Sequence, residues 1–196
     1  MKRLVALFLL GFSTLAAPAF AKSLDPSGKI RPELLDQAVA ALNAHGEKGE
    51  QTGKLVVVDY SLHSSSPRLF VIDLDSGVVD AFRTAHGKGS DHDHDGYLDS
   101  FSDVPGSSAS PQGLYRTAEE YSGGHGRSLR LDGLDTTNAN ARSRAIVIHS
   151  AVYAEPDHLK KYGKLGRSNG CIVFSSEDLT AFLDEVPKGT LLYVGK

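Results

Sequence analysis

The chain has one cysteine and no tryptophan. A single thiol cannot close a disulfide within the chain, so no covalent staple supports the fold. The absence of Trp removes one common carbohydrate-stacking side chain, although seven Tyr remain. Positive charge is short as well: 21 Lys and Arg stand against 24 Asp and Glu, for a net charge of −3. That leaves no basic surplus for nucleic acid. There is no internal repeat and no low-complexity tract. Beyond the first residues no run is long and apolar enough to cross a membrane.

The first 21 residues read as a secretory signal peptide. Lys2 and Arg3 form a basic start, Leu4 to Phe12 an apolar stretch, and Ala19-Phe20-Ala21 a small-x-small cleavage signal. No Cys follows, so no lipid anchor is indicated. Cleavage would remove two positive charges, taking −3 to −5. The expectation is an exported protein of the periplasm or cell envelope, with no stable membrane insertion after cleavage. The roughly 175 residues that remain make one domain of ordinary size, able to bury a core without disulfide or metal.

Pro32 stands where a first helical turn begins, Leu34, Leu35, Ala38, Val39 and Leu42 recur at helical spacing, and Gly46 closes the pattern. A helix is expected over 32–45, inside an N-terminal helical segment at 22–49. The period then changes. Residues 55–60, 68–73 and 78–82 are short β-branched and aromatic runs, the last two joined by the turn signal Asp75-Ser76-Gly77. Further strands are expected at 113–117, 129–131, 145–149 and 190–194. Ser175 and Asp178 resemble a capping box ahead of a helix at 176–186, ended by Pro187 and Gly189. The fold class is β-rich α+β, mostly antiparallel, with two or three helices. The Gly/Ser/Asp-rich stretch 87–113 reads as a long loop, and loops of that length are often functional.

The lone Cys171 follows Ser168-Asn169-Gly170, a small and flexible approach that puts the sulfur on a turn. In an exported protein an odd cysteine is an intermolecular partner or a reactive thiol; the plain alternative is a buried small hydrophobe. A reactive thiol needs a base, and that base a third group to hold its tautomer. His149 ends the apolar run Ala145-Ile146-Val147-Ile148, some twenty residues before the cysteine. Backbone N–H groups around Gly170 and Cys171 could then form an oxyanion hole, because glycine permits the tight turn such donors require.

These residues resemble a known signature. His149-Ser150 followed by Ser168-Asn169-Gly170-Cys171 is similar to the catalytic pattern of the YkuD-type L,D-transpeptidases, and most closely to the murein L,D-transpeptidase catalytic domain family. The likeness continues through residues 85–90, 101–107, 110–115, 131–134, 138–142 and 144–149, ending at Gly166-Arg167-Ser168. It spans 50–196, which it marks as the catalytic domain, and implies that family's β-sandwich or barrel. It implies Cys171 as acylated nucleophile, His149 as base and the Ser150 carbonyl as its orienting group. Ser168, Asn169, Gly170 and Arg167 would shape the oxyanion and substrate site, and His86 with Gly87 would begin a segment lining the substrate groove. The implied partner is the peptidoglycan stem peptide, cut after the L-centre of meso-diaminopimelate in a tetrapeptide; no cofactor and no metal are implied. An amine acceptor would make a 3→3 cross-link, and water would make the enzyme an L,D-carboxypeptidase. Carbapenems would be expected to acylate the same thiol. Val173 stands where many members carry Arg or Asn, and the 22 positions from His149 to Cys171 exceed the shortest members' spacing.

Three other readings compete. His86 with Asp93, and Glu155 with His158, resemble the HxxxxxxD and ExxH elements of zinc D,D-peptidases, which would use a metal-activated water; Pro156 argues against a helical ExxH. Asp91, Asp93, Asp95, Gly96 and Asp99 read like the start of an EF-hand loop, with Ser102 where a bidentate Glu belongs. An inactive murein-binding module with the same fold is the third. Arg127, Arg130, Arg142, Arg144 and Arg167 are candidates to meet stem-peptide carboxylates.

Overall fold

A computed structural model describes residues 24–46 and 52–196. The signal-peptide reading lies outside those residues. The expected first helix is present as α1 (Pro32–Gly46). Eight strands follow: β1 (Lys54–Asp59), β2 (Leu69–Asp73), β3 (Val79–Phe82), β4 (Gly113–Gly123), β5 (Gly126–Gly133), β6 (Val147–Ser150), β7 (Ile172–Phe174) and β8 (Leu191–Gly195). Two further α-helices are described, α2 (Pro156–Tyr162) and α3 (Ser176–Glu185), with single 3-10 turns at Lys88–Ser90 and Val152–Ala154. The strands form one mixed sheet in the order β3-β2-β1-β8-β4-β5-β6-β7. Only β1–β8 and β6–β7 are parallel pairs. The mostly antiparallel expectation holds, but the sheet stays open and does not close into a barrel.

The centre of the sheet is covered on both faces, which explains why β1 is an unbroken apolar run rather than an alternating one. Its Leu55 and Val57 join Phe70, Ile72, Leu114 and Leu191 under the Leu34, Leu35, Ala38 and Val39 face of α1. Val56 and Val58 point the other way, into a larger core with Ile148, Ile172, Phe174 and the Leu179, Phe182 and Leu183 face of α3. The N-terminal helix therefore packs into the same body as the strands. Helix α3 starts where the capping box is expected: the Ser175 side chain accepts from the Asp178 N–H at 3.1 Å.

Helix α2 corrects the view of Pro156 as a helix breaker. Proline sits in the first helical turn, where its missing N–H has no intrahelical partner to lose. Glu155 precedes it as N-cap residue, and its carboxylate accepts from the Ser176 N–H and hydroxyl at 2.9 and 2.7 Å. Gly163, at φ 71°, ends the helix in the left-handed conformation.

Candidate active site around Cys171

Strands β6 and β7 run parallel, with His149 opposite Val173 and Ile148 opposite Ile172. Cys171 is the residue leading into β7. Side chains alternate along a strand, so Cys171 and Val173 project to one face, and both pack with Ala85, Ala154 and Leu165. His149 shares that face as the partner of Val173. This makes His149 and Cys171 diagonal neighbours at the end of a parallel pair. The short strand β7 is what the sequence pattern misses, because three residues are too few to show a period.

One contact settles the tautomer of His149. Its Nδ1 lies 3.0 Å from the Ser150 carbonyl oxygen, which can only accept. Nδ1 therefore carries the proton and Nε2 presents a lone pair. Burial holds this imidazole below its ordinary pKa, against the opposing pull of the Ser150 carbonyl, with nearby His125 lowering it further. Burial pushes the Cys171 thiol up, with opposing help from the Val147 backbone and the Arg144 charge. The resting pair is thus neutral base and protonated thiol. The S–H donates to the Ala145 carbonyl at 3.6 Å, and Ala145 has φ 54°, a left-handed conformation that costs a non-glycine residue free energy.

The loop before the nucleophile is tied down by hydroxyls. Ser168 Oγ donates to the Cys171 carbonyl at 2.8 Å and accepts from the Gly170 N–H at 3.0 Å. Ser110 Oγ donates to the Gly170 carbonyl at 3.2 Å and accepts from the Gly87 N–H at 2.9 Å. Of the two backbone donors expected for an oxyanion, that of Gly170 is therefore already engaged. Gly170 has φ 121°, and a Cβ there would lie 2.6 Å from the Ala109 carbonyl oxygen and 2.8 Å from Ile146 Cδ1. Gly170→Ala is expected to cost about 1–3 kcal/mol in chemical denaturation, from backbone strain plus the clash. An unchanged denaturation midpoint would contradict this account of the turn.

The other expected site residues divide. Asn169 is exposed and lines a cleft of about 750 Å³ with Lys88, Pro105, Ser108 and Arg144. Gly87 is buried, bridged through its backbone to Ser168. The segment that His86 and Gly87 begin reaches the cleft at Lys88, while His86 itself is buried. It is 1% exposed, its carbonyl accepting from the Ser168 N–H at 2.8 Å, so it supports the nucleophile loop from behind. Arg167 donates to the Asp91 carbonyl. Arg127, Arg130 and Arg142 pair with surface carboxylates of Glu120, Glu119, Asp132 and Asp184. Arg144 is buried against Asp103 and donates to the Ser102 and Ala109 carbonyls.

Both nitrogens of His86 are occupied. Arg68 Nη2 donates to Nδ1 at 2.7 Å, and since a guanidinium can only donate, Nδ1 is unprotonated. Nε2 then carries the proton and donates to Asp91 Oδ2 at 3.1 Å. Burial first, and the Arg68 charge second, bring this histidine down to about 4. The zinc reading fails on these donors: His86 is committed to protein partners and Glu155 to Ser176. Among the described residues the one acidic or imidazole cluster of metal-holding size is Asp91, Asp93 and Asp99. Asp91 in that cluster already accepts from His86 and from the Asp95 and Gly96 N–H groups.

A model of the L,D-transpeptidase catalytic domain matches residues 26–194. The chain belongs to this family. The match extends further toward the N-terminus than the sequence pattern suggests. No curated protein matches. Among solved structures, an L,D-transpeptidase from Mycobacterium smegmatis is 16% identical, covering 74% of this chain and 59% of its own, with a TM-score of 0.45. One from Xylanimonas cellulosilytica is 17% identical over 81% of this chain and 69% of its own, with a TM-score of 0.45. One from Mycobacterium tuberculosis is 22% identical over 74% and 58%, with a TM-score of 0.43. The chain thus spans well under two thirds of the two mycobacterial proteins.

Sequence reasoning missed two further groups beside these residues. Arg68 is fully buried, which nothing in its local pattern signals. His125 stacks on His149 with ring centroids 4.2 Å apart and planes at 24°. The glycine-rich run Gly123-Gly124-His125-Gly126 was the available signal, being a hairpin turn signature.

Proposed function

We propose that this protein is a cysteine-dependent murein L,D-transpeptidase of the cell envelope, acting on peptidoglycan tetrapeptide stems. The observation that carries the reading is the His149 Nδ1–Ser150 carbonyl hydrogen bond, which leaves a basic Nε2 on the strand paired with the one that Cys171 enters. As Cys171 Sγ attacks the carbonyl of the L-centre of meso-diaminopimelate, Nε2 takes the thiol proton. The tetrahedral oxyanion is met by backbone N–H at Cys171. Collapse breaks the peptide bond, and His149 returns the proton to the departing D-Ala amine, leaving a thioester. An acceptor amine or water then attacks the thioester, with His149 again taking the proton, and restores the thiol.

The raised thiol and lowered imidazole suit a proton moved during attack rather than a standing ion pair. The exposed Asn169 and the cleft beside it give the stem peptide a place to lie. The test is incubation of purified tetrapeptide muropeptides with the protein and resolution of products by mass. A 3→3 dimer, a tripeptide, or both are expected. The dimer identifies transpeptidation, the tripeptide alone identifies L,D-carboxypeptidase action, and unchanged muropeptides with folded protein would contradict the proposal.

A further inference from the structure

We propose that His125 is a positioning residue for this reaction: from the tip of the β4–β5 hairpin its ring lies against that of His149 and fixes the plane in which Nε2 meets the thiol. The inference rests on His149 acting as the base.

A single hydrogen bond from Nδ1 to the Ser150 carbonyl fixes one atom of the imidazole but leaves its tilt about that contact free. A second ring stacked at 4.2 Å and 24° opposes tilting toward the face it covers. The hairpin that carries His125 is built on the strand beside the base: β5 pairs with β6 through Leu129–Ile148 and Arg130–Val147. Gly123 and Gly126 close its two-residue turn, with Gly126 at φ 74°. A register shift between Thr117 and Glu120 marks a bulge in β4, a feature that bends and twists a hairpin.

The burial of the two rings is unequal. His149 is 3% exposed while His125 is exposed at the tip. An exposed ring on a turn, outside the hydrophobic cores and with no polar side-chain contact among the described residues, contributes little to folding. Its structural consequence falls on His149. Positioning of a reacting group is sensitive at this scale, since a displacement of about 1 Å can cost about 100-fold in rate.

The experiment compares His125→Ala and His125→Phe with Cys171→Ala in tetrapeptide turnover, alongside thermal melting and the imidazole proton resonances of His149. His125→Ala is expected to melt as the parent does, to lower kcat about 10-fold with KM within about twofold, and to shift the His149 Hε1 resonance through loss of the ring current. His125→Phe keeps a flat ring and is expected to restore kcat to within about threefold. A His125→Ala enzyme with parental kcat, or a His125→Phe enzyme as slow as His125→Ala, would overturn the proposal. Parental turnover in Cys171→Ala would overturn the parent reading instead, and this one with it.

Discussion

Replacing Cys171 with Ala is expected to remove at least about 1,000-fold of turnover on tetrapeptide muropeptides, with fold and melting temperature retained. The thiol makes one weak hydrogen bond, to Ala145, and sits half-buried at the rim of a small apolar cluster, so its loss costs little stability. Its chemistry has no substitute among the described neighbours: the hydroxyls of Ser168 and Ser110 are both donating to carbonyls. His149→Gln is expected to fall comparably, because the glutamine amide offers no base where Nε2 stood. When nucleophile and base act as one unit, the double variant should be no worse than either single one. Additive losses would contradict the pairing of these two residues.

A second large effect is expected at Arg68, which touches neither residue. Its guanidinium is fully buried and donates to the Thr84 carbonyl at 2.9 Å, the Leu62 carbonyl at 2.9 Å and His86 Nδ1 at 2.7 Å. It also lies 4.9 Å from the centre of the Tyr60 ring. Arg68→Met keeps much of the volume but leaves two buried acceptors and one half-buried acceptor without this donor, and should cost about 3–5 kcal/mol. Chemical denaturation near neutral pH is the measurement.

The same network gives a pH signature. His86 has its ordinary value, 6.5, in the unfolded chain and about 4 in the folded one. On acidification the unfolded state takes up the proton first. Stability from this group is therefore whole above about 6.5, falls between about 6.5 and about 4, and is constant below, a loss of roughly 3 kcal/mol. In Arg68→Met the charge opposing protonation is gone and Asp91 can pair with the imidazolium, so this slope should flatten. His149 and His158, both lowered chiefly by burial, contribute to the two proteins alike. An Arg68→Met protein as stable as its parent at neutral pH, or with an undiminished acid slope, would contradict this account of the network.

Much of this arrangement was legible in the sequence because local chemistry determined it. The run Leu55–Val58 reads as strand at sight, and its lack of alternation reports burial on both faces. Ser175 with Asp178 marks a helix start by capping alone. The sequence singled out His149 and Cys171 by the order of their motifs, and the β6–β7 pairing puts the two positions at one end of a parallel pair. What stayed hidden depends on distant partners. Arg68 looks like a polar edge residue until Thr84, Leu62 and His86 close around it. His86 looks available as a site residue until Asp91 takes its other nitrogen. The run Gly123-Gly124-His125-Gly126 marks the turn of the β4–β5 hairpin, but that the turn lays His125 on His149 depends on a partner distant in sequence. Pro156 misled because the same residue that interrupts a helix is favoured at its start.

The central claim is that Cys171 Sγ forms the covalent intermediate. The direct measurement is the intact mass of the protein after exposure to carbapenems, followed by peptide mapping, with Cys171→Ala treated in parallel. The account predicts an added carbapenem mass on the peptide containing Cys171 and none on the variant. An unmodified Cys171 in a protein that still turns over tetrapeptide muropeptides, with equal turnover in Cys171→Ala, would contradict it.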